Sequence, residues 1–230
     1  DNNTAVGYNA LVLNTTGTQN VAVGAYALDA ASTASNNIAI GYRALSQNTT
    51  GNENVSIGTD SLLDNTTGAG NTSVGMESLA NNTTADGNTA VGKQALNTTS
   101  TGANNTALGY QALRLNATTS NNVAVGYGAL YNNVAASNTA VGKSALEAGA
   151  LSANTTASYN TAVGQGSMYV NTTGAYNVAV GNNVLDANTT GGSNTAIGYD
   201  ALGANTTASN NVAVGTYALD ANTTGAQNTA

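Results

Sequence analysis

The chain contains no cysteine, histidine, proline, tryptophan or phenylalanine among its 230 residues. Without cysteine there is no disulfide framework and no thiolate metal site, and the redox compartment goes unmarked. Without histidine there is neither the side chain best suited to general base work near neutrality nor the commonest transition-metal ligand. Basic residues are scarce as well: Arg43, Lys93, Arg114 and Lys143 stand against eleven acidic ones, for a net charge of -7. That balance argues against binding to nucleic acid or to an anionic membrane surface. No apolar run approaches the roughly 18 residues that membrane insertion by a helix requires. The first residues lack the basic-then-apolar order of a secretory signal. With 41% hydrophobic and 7% charged residues, the composition is not that of a charge-driven disordered segment either.

What fills the chain is one phrase repeated every 17 residues, and this period predicts an array of stacked coils. Each coil reads Asn, a β-branched residue, Ala or Ser, an aliphatic residue and Gly, then two variable residues, a small residue and Leu, then two more variable residues, Asn-Thr-Thr-Gly and a short spacer. Counting the first Asn as position 1, that Asn falls at Asn3, Asn20, Asn37, Asn54, Asn71, Asn88, Asn105, Asn122, Asn138, Asn160, Asn177, Asn194, Asn211 and Asn228. The glycine at position 5 falls at Gly7, Gly24, Gly41, Gly58, Gly75, Gly92, Gly109, Gly126, Gly142, Gly164, Gly181, Gly198 and Gly215.

Positions 2 and 4 alternate with position 3, which predicts a short strand. The large residues of pairs such as Val21/Val23, Ile38/Ile40 and Val55/Ile57 are expected to form one buried stripe. The small residues between them, Ala22, Ala39 and Ser56, are expected to face outward, where another chain packs closely. Leucine at position 9, from Leu11 through Leu219 with Met168 once, predicts a second buried stripe. The invariant position-5 glycine implies a positive φ or a close approach between coils. Gly17, by contrast, is replaced in later coils by Ala34, Ala85 or Ala208. Asn-Thr-Thr supplies turn chemistry through side chains that bond their own backbone.

Antiparallel hairpins would leave Asn-Gly marks at their turns. The sequence has none, and only Asp86-Gly87 resembles one. The fold class expected is therefore all-β: a parallel β-solenoid, of β-roll or β-helix type, with about thirteen coils stacked roughly 4.8 Å apart. The position-1 asparagines are expected to form a ladder of amides paired along the axis. Residues 1–230 read as a single repeat array that opens and stops inside a repeat, as a fragment of a longer fibre would. Irregular coils with an insertion fall at 127–163, where the glycine spacing changes to sixteen and then twenty-two, the extra residues lying around Gly149 to Ala153. The insertion reads as a receptor contact, as a site that sets fibre register, or, as the favoured reading, as a loop tolerated at a surface turn.

The phrase Asn3 to Leu11, continuing through Asn14 to Gly17, resembles repeats of phage tail fibres and bacterial surface-fibre proteins. Val21 to Gly24 and Ile38 to Gly41 are similar, more loosely, to repeats in the heads of trimeric autotransporter adhesins, whose shorter period does not transfer its coil geometry. The resemblance spans the chain and implies a fibrous homotrimer that is extracellular, on a cell surface or on a virion, with self as partner.

Candidate sites are few. Asn-x-Thr sequences at Asn14, Asn48, Asn65, Asn171, Asn188, Asn205 and Asn222 are candidate glycosylation acceptors, or else simple turns; sugars stacked at about 4.8 Å would crowd, which favours the turn. Thr-Thr ranks invite an ice-binding reading, against which Ala117, Val134 and Ala135 interrupt them. Tyr8, Tyr42, Tyr110, Tyr127 and Tyr199 follow the position-5 glycine, as an aromatic strip for sugars or as plain surface cover. Carboxylates such as Asp29, Asp60, Asp64, Glu77, Asp186, Asp200 and Asp220 occupy variable positions with no basic partner implied, and the glycine-rich calcium-binding repeat is missing. No enzyme activity, metal or cofactor is expected. The role predicted is a structural shaft segment that spaces or displays a receptor-binding tip. The alternatives are a self-assembling extracellular filament of end-to-end solenoids, or an adhesin surface that binds a cell-surface glycan or receptor directly.

Overall fold

The computed structural model describes residues 2–146 and 156–230. Among them every regular element is a three-residue strand, and no helix is present. The chain forms two compact units, Asp1–Thr118 and Thr119–Ala230. The first contains β1 (Thr4–Val6), β2 (Val21–Val23), β3 (Ile38–Ile40), β4 (Val55–Ile57), β5 (Thr72–Val74), β6 (Thr89–Val91) and β7 (Thr106–Leu108). The second contains β8 (Val123–Val125), β9 (Thr139–Val141), β10 (Thr161–Val163), β11 (Val178–Val180), β12 (Thr195–Ile197) and β13 (Val212–Val214). Within each unit successive strands pair in parallel and in register, with position 2 on position 2 and position 4 on position 4. The fold is the expected all-β parallel β-solenoid.

The two faces of the strand are the reverse of the sequence expectation. Position 3 points inward: Ala22, Ala39, Ser56, Ser73, Ala90 and Ala107 are all fully buried. The β-branched residues beside it point outward, with Ile38 37%, Ile40 38% and Leu108 47% exposed. The interior of a 17-residue coil is narrow. Leucine at position 9 and the small residue at position 8 already fill it, as Leu45 with Ala44 and Leu96 with Ala95 are fully buried. A valine on the inner side of the strand would overpack that space, so only a methyl or hydroxymethyl fits.

Position 5 combines the two constraints expected of it. Gly75 has φ of +138°, and a Cβ there would lie 2.7 Å from the Gly92 carbonyl of the next coil. The leucine at position 9 brings an unexpected one, since it adopts the left-handed conformation coil after coil, as at Leu45 (φ 55°) and Leu96 (φ 50°). That conformation costs a branched residue about 1–2 kcal/mol. Where the leucine is fully buried and its N–H bonds to the next coil, as Leu45 does to the Ser61 carbonyl at 3.0 Å, both offset the cost.

The array keeps its register through the irregular stretch. β8 pairs with β9 and β9 with β10 in the usual alignment. In the shortened coil the Asn133 amide donates to the carbonyl two residues ahead, at Ala135, where its counterparts reach three ahead, so one residue of the Thr-Thr pair is what has gone. The insertion around Gly149 to Ala153 lies outside the described residues.

Two neighbouring coils carry serine at both inner small-residue positions. Ser56, Ser61, Ser73 and Ser78 replace the usual alanines at positions 3 and 8 and are fully buried. They satisfy one another: Ser61 Oγ donates to Ser73 Oγ at 2.8 Å, and Ser73 and Ser78 share a hydroxyl contact of 2.5 Å.

Candidate functional site

Three surfaces and two interior ladders offer chemistry, and the ladders explain why the surfaces are regular. At position 1 the asparagine is buried and bonded at both ends of its amide. Its Oδ1 accepts the backbone N–H of the next coil's asparagine, as Asn37 Oδ1 does from Asn54 and Asn54 Oδ1 from Asn71, both at 2.9 Å. Its Nδ2 donates to the carbonyl at position 15 of its own coil, as Asn54 does to Gly68 at 2.9 Å, drawing the coil closed. The bonds repeat from Asn3 to Asn105 in the first unit and from Asn122 to Asn228 in the second. The amides do stack, but their principal partners are backbone groups. Direct amide-to-amide bonds are fewer and longer, as from Asn71 to Asn54 at 3.2 Å.

Amide-on-amide pairing belongs instead to the candidate glycosylation residues. Asn48, Asn65, Asn171, Asn188 and Asn205 are fully buried. Asn65 Nδ2 donates to Asn48 Oδ1 at 2.9 Å and to the Gly68 carbonyl at 2.9 Å, and Asn188 does the same toward Asn171 and Gly191. Asn14 and Asn222, in coils with a neighbour on one side, are half-buried but make the same bond three residues ahead. A glycan would replace one Nδ2 hydrogen, and at the buried Asn65 and Asn188 both are already engaged, so the folded coil offers no acceptor at those two. The turn reading of Asn-Thr-Thr is the one the geometry supports.

The threonines after it form the first surface. The position-13 hydroxyls are tied to the next coil, Thr49 Oγ1 donating to the Thr66 carbonyl and Thr66 Oγ1 to the Thr83 carbonyl, each at 3.0 Å. Position 14 is exposed in every coil of the first unit, from Thr16 through Thr67 to Thr118. Ala117 falls in the tied row and leaves the exposed row whole, whereas the loss of a residue at Val134–Ala135 does break it in the second unit.

The second surface carries most of the charge, at positions 6, 7, 10 and 11. Arg43 makes a bidentate pair with Asp60, at 2.7 and 2.9 Å, and lies 5.2 Å over the Tyr42 ring. Hydrogen bonding to Asp60 holds the Arg43 guanidinium still more firmly in its charged form. Burial raises the Asp186 carboxyl above its ordinary range, and Asp200 adds to the effect. Tyr8, Tyr42, Tyr110, Tyr127 and Tyr199 are all exposed. Tyr8 meets Tyr26, and Tyr199 meets Tyr217, edge to face at 5.3 and 5.4 Å, whereas Tyr159 and Tyr176 stack nearly flat at 5.1 Å. Among the described residues no three carboxylates gather into a metal site, and no helix is long and apolar enough to cross a membrane.

The third surface is the outer face of the strands, a file of paired β-branched residues that sequence reasoning assigned to the core. The signal that would have found it is size: the only residues small enough for a narrow interior are those at position 3. No charged residue among those described occupies positions 2 to 4 of any coil.

No protein-family model, no curated protein and no solved structure matches the chain.

Proposed function

We propose that this chain is a structural fibre segment, outside a cell, at its surface or on a virion, that spaces or displays a binding tip carried elsewhere and works as a homotrimer. The observation that carries the reading is axial closure: the backbone and the position-1 amides of each coil bond to the coil above or below. Such a chain resists pulling and bending through many equivalent bonds, and it devotes its invariant residues to the stack rather than to a cleft. Most of the residues that vary are outward ones, as in a shaft.

The test is electron microscopy of the native, undissociated protein, with its mass in solution. Three parallel chains about one axis are expected. Single solenoids joined end to end would replace the shaft with a polymerising filament. Binding of cells or sugars by this chain alone would replace it with an adhesive surface.

A further inference from the structure

We infer that copies of this chain meet on the outer face of their strands, the β-branched file formed by positions 2 and 4, in parallel and in register. The inference rests on the self-association proposed above and names the surface responsible. In each unit the file is one residue pair wide and renewed at every coil, with Ile38, Ile40, Ile57 and Leu108 of the first unit 37 to 47% exposed. At on the order of 50 Å² for each outward side chain, the seven pairs of the first unit leave about 700 Å² of largely apolar surface in water, more than the largest patch of most monomers. Each partner in a stable interface contributes about 800 Å², so one such file and its flanks match what a second copy needs.

Charge argues for the same occupant. The chain carries a net charge of -7, so two copies repel at long range unless they meet where charge is lacking. The strand face is that place: contact there desolvates no ion. Just beyond the closing glycine, Tyr42, Met76 and Tyr110 extend the exposed apolar surface with side-chain types enriched at interfaces. Parallel alignment follows from the pattern. Because each file repeats at the coil rise, a parallel neighbour aligned about a common axis sets every pair against its own equivalent, and β-branched surfaces interdigitate at every level.

The test uses two variants of the whole chain. Ile40→Lys with Ile57→Lys puts two charges on the face at positions 38% and 37% exposed in the single chain; because the two are cross-strand neighbours the charges also repel within the coil, so circular dichroism first establishes that the variant is folded. The wild type is expected to sediment as an oligomer and the folded variant at the monomer mass. An unchanged oligomer in the folded variant would overturn this surface while leaving the fibre reading intact. A wild type that stays monomeric at tens of micromolar would overturn both. Ile57→Cys supplies the only thiol of the chain and stands on its own if the lysine variant fails to fold. Oxidation of about two thiols in every three to a disulfide-linked dimer, the limit a trimer allows, supports parallel, in-register packing, and retention of nearly all the thiol in free form in the oligomer overturns it.

Discussion

The two asparagine ladders of the coil use the same amide at the same depth, yet one is whole within each unit and the other is not. At position 1 no described coil lacks asparagine, whereas at position 12 Ala31 and Thr99 stand in its place. The difference lies in what each amide serves. A position-1 asparagine accepts a backbone N–H of the next coil, so its loss strands a main-chain donor in the interior. A position-12 asparagine bonds chiefly to its twin and to a carbonyl that the position-1 amide also reaches, as Gly68 is reached by both Asn54 and Asn65. Its loss strands only side-chain atoms. At the interruptions Asn14 Oδ1, facing Ala31, and Asn82 Oδ1, facing Thr99, are buried without a partner, as is Asn205 Oδ1 beside the last coil.

The contrast is open to breaking by substitution, with urea unfolding as the readout. Asn54→Ala should have the largest effect, a loss of about 3 kcal/mol, because it orphans the Asn71 N–H and enlarges the interior. Asn65→Ala should cost less, about 1–2 kcal/mol, since Gly68 keeps its other donor; equal losses at the two sites would end the distinction. Ala31→Asn should be stabilising by about 1 kcal/mol by giving Asn14 Oδ1 the donor it lacks. Thr99→Asn should gain less, about a few tenths of a kcal/mol, because it gives up the 2.7 Å bond from the Thr99 hydroxyl to the Asn116 carbonyl. A larger gain at Thr99 than at Ala31 would show that the hydroxyl bond contributes little.

The period, the parallel stack, the position-5 glycine and the leucine stripe were legible because each is a pattern of residue type at fixed spacing. The orientation of the strand was not. Alternation says that Val21 and Val23 share a side and Ala22 takes the other, but not which side is interior, and the usual preference for burying the larger residue fails where the interior is a methyl wide. The role of Asn48 and Asn65 was hidden for a related reason: the triplet that marks an exposed acceptor in most chains here turns its amide inward. Left-handed leucine carries no sequence signal of its own. The neighbouring left-handed positions do, since Asn9, Asn183 and Gly166 occupy one and Asn36, Asn104 and Gly87 the other, residues that tolerate positive φ. The candidate docking face followed once the orientation was known, and not before.

A chain that repeats one phrase so faithfully has a counting problem. If a coil is looped out while the chain winds, its neighbours still match, glycine to glycine and amide to amide, and little in the backbone reports the error. The serine quartet acts as a page number. Stacking the coil of Ser56 and Ser61 directly on that of Ala90 and Ala95 would set Ser61 against methyl groups in place of the Ser73 hydroxyl and leave it only the longer bond to the backbone carbonyl, at about 0.5–1.5 kcal/mol for the hydroxyl bond lost. The serine coils thus give the winding chain a place where a miscount carries a penalty.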